Sequence, residues 1–182
     1  MKTSPLLSAA LASLTALLTA GAARAHVVLD QPAAPAGSSY RASFRIGHGC
    51  DGAATRVVVV TLPEGLRGAK PMPKPGWTLT TTRRPLAVPY DSHGKTIADE
   101  LAEVRWTANT PADQLQDDWF DEFVLRAVLP AEPGELWFSV RQLCTRGEWN
   151  WAERPSAETP KPRAPAVKLT VQPAVAGDKP HH

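Results

Sequence analysis

Apolar and polar positions alternate, or apolar residues cluster in short runs, along most of this chain, and neither arrangement keeps a helical period. "YRASFRI" from Tyr40 alternates, and "TRVVVVTLP" from Thr55 is a short buried strand running into a proline stop. "GWTLTTTRR", "AEVRWTA", "FDEFVLRAVLP", "LWFSVRQLC" and "AVKLTVQP" follow at strand length, separated by Pro, Gly and Asp clusters. "PADQLQDDWFDEF" has room for one helical turn, because Pro111 and Asp113 resemble a helix start. The 18 prolines argue against long helices and suit strand edges and turns. About seven strands with no helical alternation predict an all-β fold, an antiparallel β-sandwich. From Val175 on, "VAGDKPHH" reads as a loose tail over 175–182.

The first 25 residues follow a different pattern. Lys2 precedes "PLLSAALASLTALLTAGAA", which is apolar or small throughout, and Ala23-Arg24-Ala25 then offers small residues at −3 and −1. This predicts a secretory signal peptide over 1–25, cut between Ala25 and His26; a retained N-terminal anchor is the competing reading. No later stretch is long and apolar enough for a membrane helix, so an exported, periplasmic product with no membrane span is expected. One domain over 26–174 is long enough to bury a proper core. Of the 20 basic residues Lys2 and Arg24 fall in the signal segment, so 18 basic face 18 acidic residues in the remainder. That balance, without basic runs interleaved with aromatics, makes no case for a nucleic-acid partner.

Both cysteines, Cys50 and Cys144, lie in the exported part, where an even count most simply means one disulfide. A soft-metal cysteine pair is the alternative, although neither residue has CxxC-type spacing. Cleavage after Ala25 would turn His26 into a residue carrying a free α-amine as well as an imidazole. Amine and Nδ1 of one residue close a chelate ring on a metal, and planar nitrogen donors favour Cu(II). An exposed N-terminal histidine does this weakly by itself, so a second donor decides the matter. His48, in "RIGHGCDGAAT", stands beside Cys50. If residues 26–31 and 40–46 are neighbouring strands, His48 and His26 reach the same sheet end; otherwise His48 is a loop histidine capping a turn. A Cys50–Cys144 bond would also bring "RGEWNWAERP", a polar loop with Trp149 and Trp151, into that neighbourhood. Trp77, Trp106, Trp119 and Trp137 are expected to be core residues.

The stretches "HVVLDQPAAPAGSSYRASFRIGHGCDGAAT", "VTLPEGLRGAKPMPKPGWTL", "FDEFVLRAVLP" and "RQLCTRGEWNWAERP" resemble the YcnI-like family, also known as domain of unknown function 1775. The likeness runs from His26 to about Leu169. It implies an immunoglobulin-like β-sandwich exported by bacteria and associated with copper handling, a binding protein and not an enzyme. The family's hallmark is a Cu(II) site on the N-terminal histidine, a histidine brace, completed in Bacillus-type members by a glutamate and a tryptophan. On that pattern His26 is the brace residue, and Trp151, with Trp149 as second choice, is the tryptophan. The glutamate falls near the "GHGC" loop, which has no acid before Asp51; His48 replaces it, giving two histidines and one Cu(II) per chain. Delivery of copper then implies a partner, another periplasmic copper chaperone or a membrane copper transporter. Two other functions compete: a redox enzyme, since lytic polysaccharide monooxygenases also use a histidine brace, and an interaction sandwich whose N-terminal histidine is incidental.

Overall fold

The computed structural model describes residues 26–174; the expected signal segment 1–25, its cleavage site and the tail 175–182, with His181 and His182, lie outside the described residues. In chain order the strands are β1 (Val28–Leu29), β2 (Ala33–Pro35), β3 (Ser39–Ile46), β4 (Thr55–Thr61), β5 (Arg67–Pro71) and β6 (Trp77–Ser92). β7 (Lys95–Ala108), β8 (Asp121–Val128), β9 (Gly134–Cys144), β10 (Glu148–Trp151) and β11 (Val167–Gln172) complete them. The sole helical element among the described residues is a 3-10 turn, Pro111–Asp113, where the sequence placed it.

Two sheets face each other. One has the order β1-β3-β8-β5, the other β2-β11-β9-β4-β7-β6, with β10 paired to β9. All pairings are antiparallel except that of β11 with β2. β4 reads as a continuous apolar run because it is flanked by β7 and β9 and is covered on both faces; Val57, Val58, Val59 and Val60 are all buried. Aromatic rings join the sheets. Phe44 on β3 meets Phe138 on β9 edge-on at 5.2 Å, and Phe123 on β8 meets Trp77 and Trp106 at 5.1 and 5.6 Å. Such offset contacts fill the roughly 10 Å between packed sheets and suit the ring quadrupoles.

Two expectations about tryptophans need correction. Trp119 is 58% exposed, not core, and its neighbour Phe120 is 69% exposed. Both precede β8 in a turn closed by Trp119 N–H donating to Gln116 O, so no strand face directs them inward. Trp137 is half-buried; it alternates with Phe138 on β9 and so faces away from the sandwich interior, between the Arg154 and Lys168 side chains. The "RGEWNWAERP" segment is likewise not a loop throughout, since Glu148–Trp151 is a strand.

The strands also extend beyond the segments read from the pattern. β6 and β7 form a long hairpin whose turn, Ser92–Lys95, places His93 and Gly94 at φ 49° and 73°. Two successive positive φ values are the geometry of a type I′ turn, the one whose twist matches a two-residue hairpin. β5, at the free edge of the smaller sheet, pairs with β8 only.

Candidate functional site at the Cys144 end of the sandwich

β1 and β3 are neighbours, with Val28 opposite Arg45 and Leu29 opposite Phe44. Carried two residues further, that register sets His26 opposite Gly47, next to His48. Both histidines therefore stand at one end of the smaller sheet, and both are half-buried. Across the sandwich, β9 delivers Cys144 to the same end, and β10 folds back beside it with Trp151 opposite Val140 and Trp149 opposite Gln142. Two residues apart on one strand, the two indoles share a face and stack, 5.1 Å between ring centres at 24°.

Trp151 is the meeting point. Its ring lies 5.8 Å from that of His26 and 6.1 Å from that of His48, both nearly perpendicular to it, and it is 2% exposed. Trp149 is one layer away, packed on Trp151, on the cysteine pair and under the Arg163 guanidinium. Of the two tryptophans, Trp151 is the one whose ring meets both histidines.

Cys50 and Cys144 form a disulfide, Cα to Cα 5.9 Å. It is one of three ties on three successive residues. The His48 carbonyl accepts a hydrogen bond from Gln142 Nε2 at 2.6 Å, Gly49 N–H donates to Asp117 Oδ1 at 2.9 Å, and Cys50 is covalently fixed. The turn beyond them closes on itself, Cys50 N–H donating to Ala53 O and Ala53 N–H to Cys50 O. Residue 49 must be glycine here, because a Cβ would run into the Ala53 carbonyl oxygen. His48 Nδ1 lies 2.5 Å from Gly49 O. Nδ1–H donating to that carbonyl directs any metal bond to Nε2, the usual division of labour in a ligating histidine.

The side-chain donors gathered at this end are few. Among the described residues no three His, Cys, Asp or Glu side chains gather into a metal site. Two imidazoles at one indole are what the side chains supply; a third nitrogen, the main-chain amine of His26, would be available only if residue 26 begins the chain. The cysteines are unavailable as thiolate ligands while bonded to each other. Asp51, the acid nearest His48 in sequence, sits in the Cys50–Ala53 turn at φ 49° and lines a shallow depression with Arg146, Glu148, Trp149 and Arg163.

Comparison with known proteins bears on this arrangement. The model of the domain of unknown function 1775 matches residues 26–171. The chain belongs to this YcnI-like family. Its matched segment begins at His26 and takes in every residue of the site just described. An uncharacterized protein from Nocardia farcinica, whose crystal structure reveals an immunoglobulin-like fold, is 28% identical, with a TM-score of 0.63. The alignment covers 82% of this chain and 99% of that one. The seventh ScaB type I cohesin from Pseudobacteroides cellulosolvens aligns over 86% of this chain and 97% of its own at 9% identity and a TM-score of 0.39, too distant to bear on fold or function. No curated protein matches the chain. The immunoglobulin-like sandwich expected of a YcnI-like protein is thus the fold found, and the cysteine pairing expected from composition is present.

Three residues of the site escaped the sequence reading. Gln142 and Asp117 hold the His48 segment, and Thr55 accepts a hydrogen bond from Gln142; Gln142 and Thr55 are both 0% exposed. The signal for Gln142 was available: Phe138, Val140, Gln142 and Cys144 share one face of β9, and a glutamine in that buried row needs partners.

Proposed function

We propose that this protein is an exported copper-binding protein that holds one Cu(II) per chain, with His26 as the first residue after cleavage behind Ala25. The α-amine and Nδ1 of His26 supply two nitrogens and His48 Nε2 a third. Trp151, whose indole has no good donor lone pair, shields the metal from one side. The observation that carries the reading is the convergence of His26 and His48 on the buried ring of Trp151. The disulfide fits export into an oxidising compartment. No helix among the described residues is long and apolar enough to cross a membrane. Storage of copper, or its transfer to another exported copper chaperone or a membrane transporter, is the role that such a binding site serves.

Cu(II) titration followed by electron paramagnetic resonance tests this. Protein beginning at His26 should bind one Cu(II) with three nitrogen couplings. One extra residue before His26 should abolish that spectrum, His48→Ala should remove one coupling, and Trp151→Phe should keep the in-plane nitrogens. Equal binding by the extended and the processed protein would refute the brace.

A further inference from the structure

Gln142 is the one polar side chain in the buried row of β9, and all its amide atoms are used. Nε2 donates to His48 O at 2.6 Å and to Thr55 Oγ1 at 2.7 Å, while Oε1 accepts from Trp151 Nε1 at 3.2 Å. A primary amide has two N–H donors pointing one way and a carbonyl pointing the other, so these partners fix its orientation. One side chain thereby joins the main chain of one candidate ligand to the ring standing over it. Trp149 has no such anchor: its Nε1 is buried without a hydrogen-bond partner among the described residues. Stacking alone leaves an indole free to turn in its plane, whereas the Oε1 contact pins Trp151 in rotation as well.

The disulfide holds Cys50, two residues along, and Asp117 holds Gly49 N–H. The Trp151 indole N–H donates to Gln142 Oε1 and to neither of these groups. Beside the direct contact of the His48 and Trp151 rings, Gln142 thus hydrogen-bonds both the main chain of the histidine arm and the indole.

We infer that Gln142 is a positioning residue that sets the mutual placement of His48 and Trp151, and thereby the geometry of the site; its effect on metal rests on the copper reading above, its effect on placement does not. Outer partners of this kind change metal affinity by roughly 10- to 100-fold when removed, without touching the metal themselves. Methionine matches glutamine in length and volume but offers no amide.

The test uses full processed protein, wild type and Gln142→Met, with Gln142→Asn as the second variant; Asn retains the amide but is one methylene short of spanning both partners. Thr55→Val is the control, since it removes a Gln142 partner and leaves the His48 and Trp151 contacts in place. Without metal, the Trp151 indole N–H resonance, assigned by its loss in Trp151→Phe, and the His48 ring resonances should both move in Gln142→Met and Gln142→Asn and stay in Thr55→Val. With Cu(II) alone as the probe, competition against a chelator should show a 10- to 100-fold loss for the Gln142 variants. Adding His48→Ala to Gln142→Met should cost less than His48→Ala costs in wild type, the signature of two residues acting through one contact. Unchanged indole and imidazole resonances in both folded Gln142 variants would overturn the inference. Should wild type bind no Cu(II), the copper reading fails, and the metal-free resonances still decide the role of Gln142.

Discussion

Replacing Cys50 and Cys144 together by alanine opens a covalent loop whose ends are 94 residues apart. In the chain-entropy model, a cross-link closing a loop of that length removes about 16 cal/mol/K from the unfolded ensemble, or about 4.7 kcal/mol at 25 °C. On the native side, loss of the two buried sulfurs adds to this figure. Both cysteines are buried and packed on Ala53 and Trp149, and alanine keeps the Cβ of each. For a domain of this size that loss corresponds to a fall in Tm of roughly 10–20 °C. Urea unfolding monitored by tryptophan fluorescence measures it directly, and the m-value reports whether the unfolded state has expanded. The site itself should suffer less. His48 O and Gly49 N–H keep their ties to Gln142 and Asp117, so the folded double variant should bind Cu(II) more tightly than His48→Ala does. A stability loss below about 1 kcal/mol would contradict the loop argument. Copper affinity collapsing to the His48→Ala level would show that the two polar ties hold nothing by themselves.

Further tests probe other parts of the molecule. Burial, with the negative charge of Asp30 adding to it, pushes the Tyr40 hydroxyl up to about 12. The folded protein thus keeps this proton where the unfolded chain loses it near pH 10, so the contribution is complete below pH 10 and is lost as pH rises toward 12. Stability should fall by about 2–3 kcal/mol over that window, and Tyr40→Phe should flatten this part of the profile in denaturation experiments run from pH 9 to 12. Gly49→Ala drives a Cβ into the Ala53 carbonyl and should cost roughly 1–3 kcal/mol in chemical denaturation, with weakened Cu(II) binding. Deleting residues 175–182, with His181 and His182, should leave the Cu(II) affinity unchanged. Gln172, the last residue of β11, lies near the Gly134 end of β9, opposite the Cys144 end. A loss of tight binding on that deletion would relocate the site.

Most of the sandwich was legible because its central strands bury one or both faces and therefore write their period into the sequence. β3, β4, β8, β9 and β11 fall where alternation or an unbroken apolar run put them. Edge elements were not legible, because pairing on one side alone demands little of the side chains. β5 reads "RGAKP" and is a strand only through β8. The outer half of β6 carries Pro85 and Pro89, which look like breaks but are tolerated on an edge, where a missing N–H leaves no interior ladder bond unmade. At the site, the two histidines and the tryptophan pair were readable from residue chemistry and the family likeness. Gln142 was not picked out, although its phase on β9 marked it, because a single polar residue in an apolar row does not say what it will bond. Trp119 failed for a simpler reason: aromatic character does not imply burial when no strand supplies a direction.

The triple tie on residues 48–50 also has a consequence in time. His26 and His48 leave the ribosome early, whereas Gln142, Cys144 and Trp151, which hold or cover the second histidine, come near the end of the domain. Contacts this distant along the chain must wait for the slow closure of a long loop. A chain already cut behind Ala25 but only partly folded would therefore offer metal no more than a bare terminal histidine, the weak chelator that any such terminus is. On the proposed copper reading, tight capture would wait until β9 and β10 have docked, so that possession of copper would double as a report that the whole sandwich has closed.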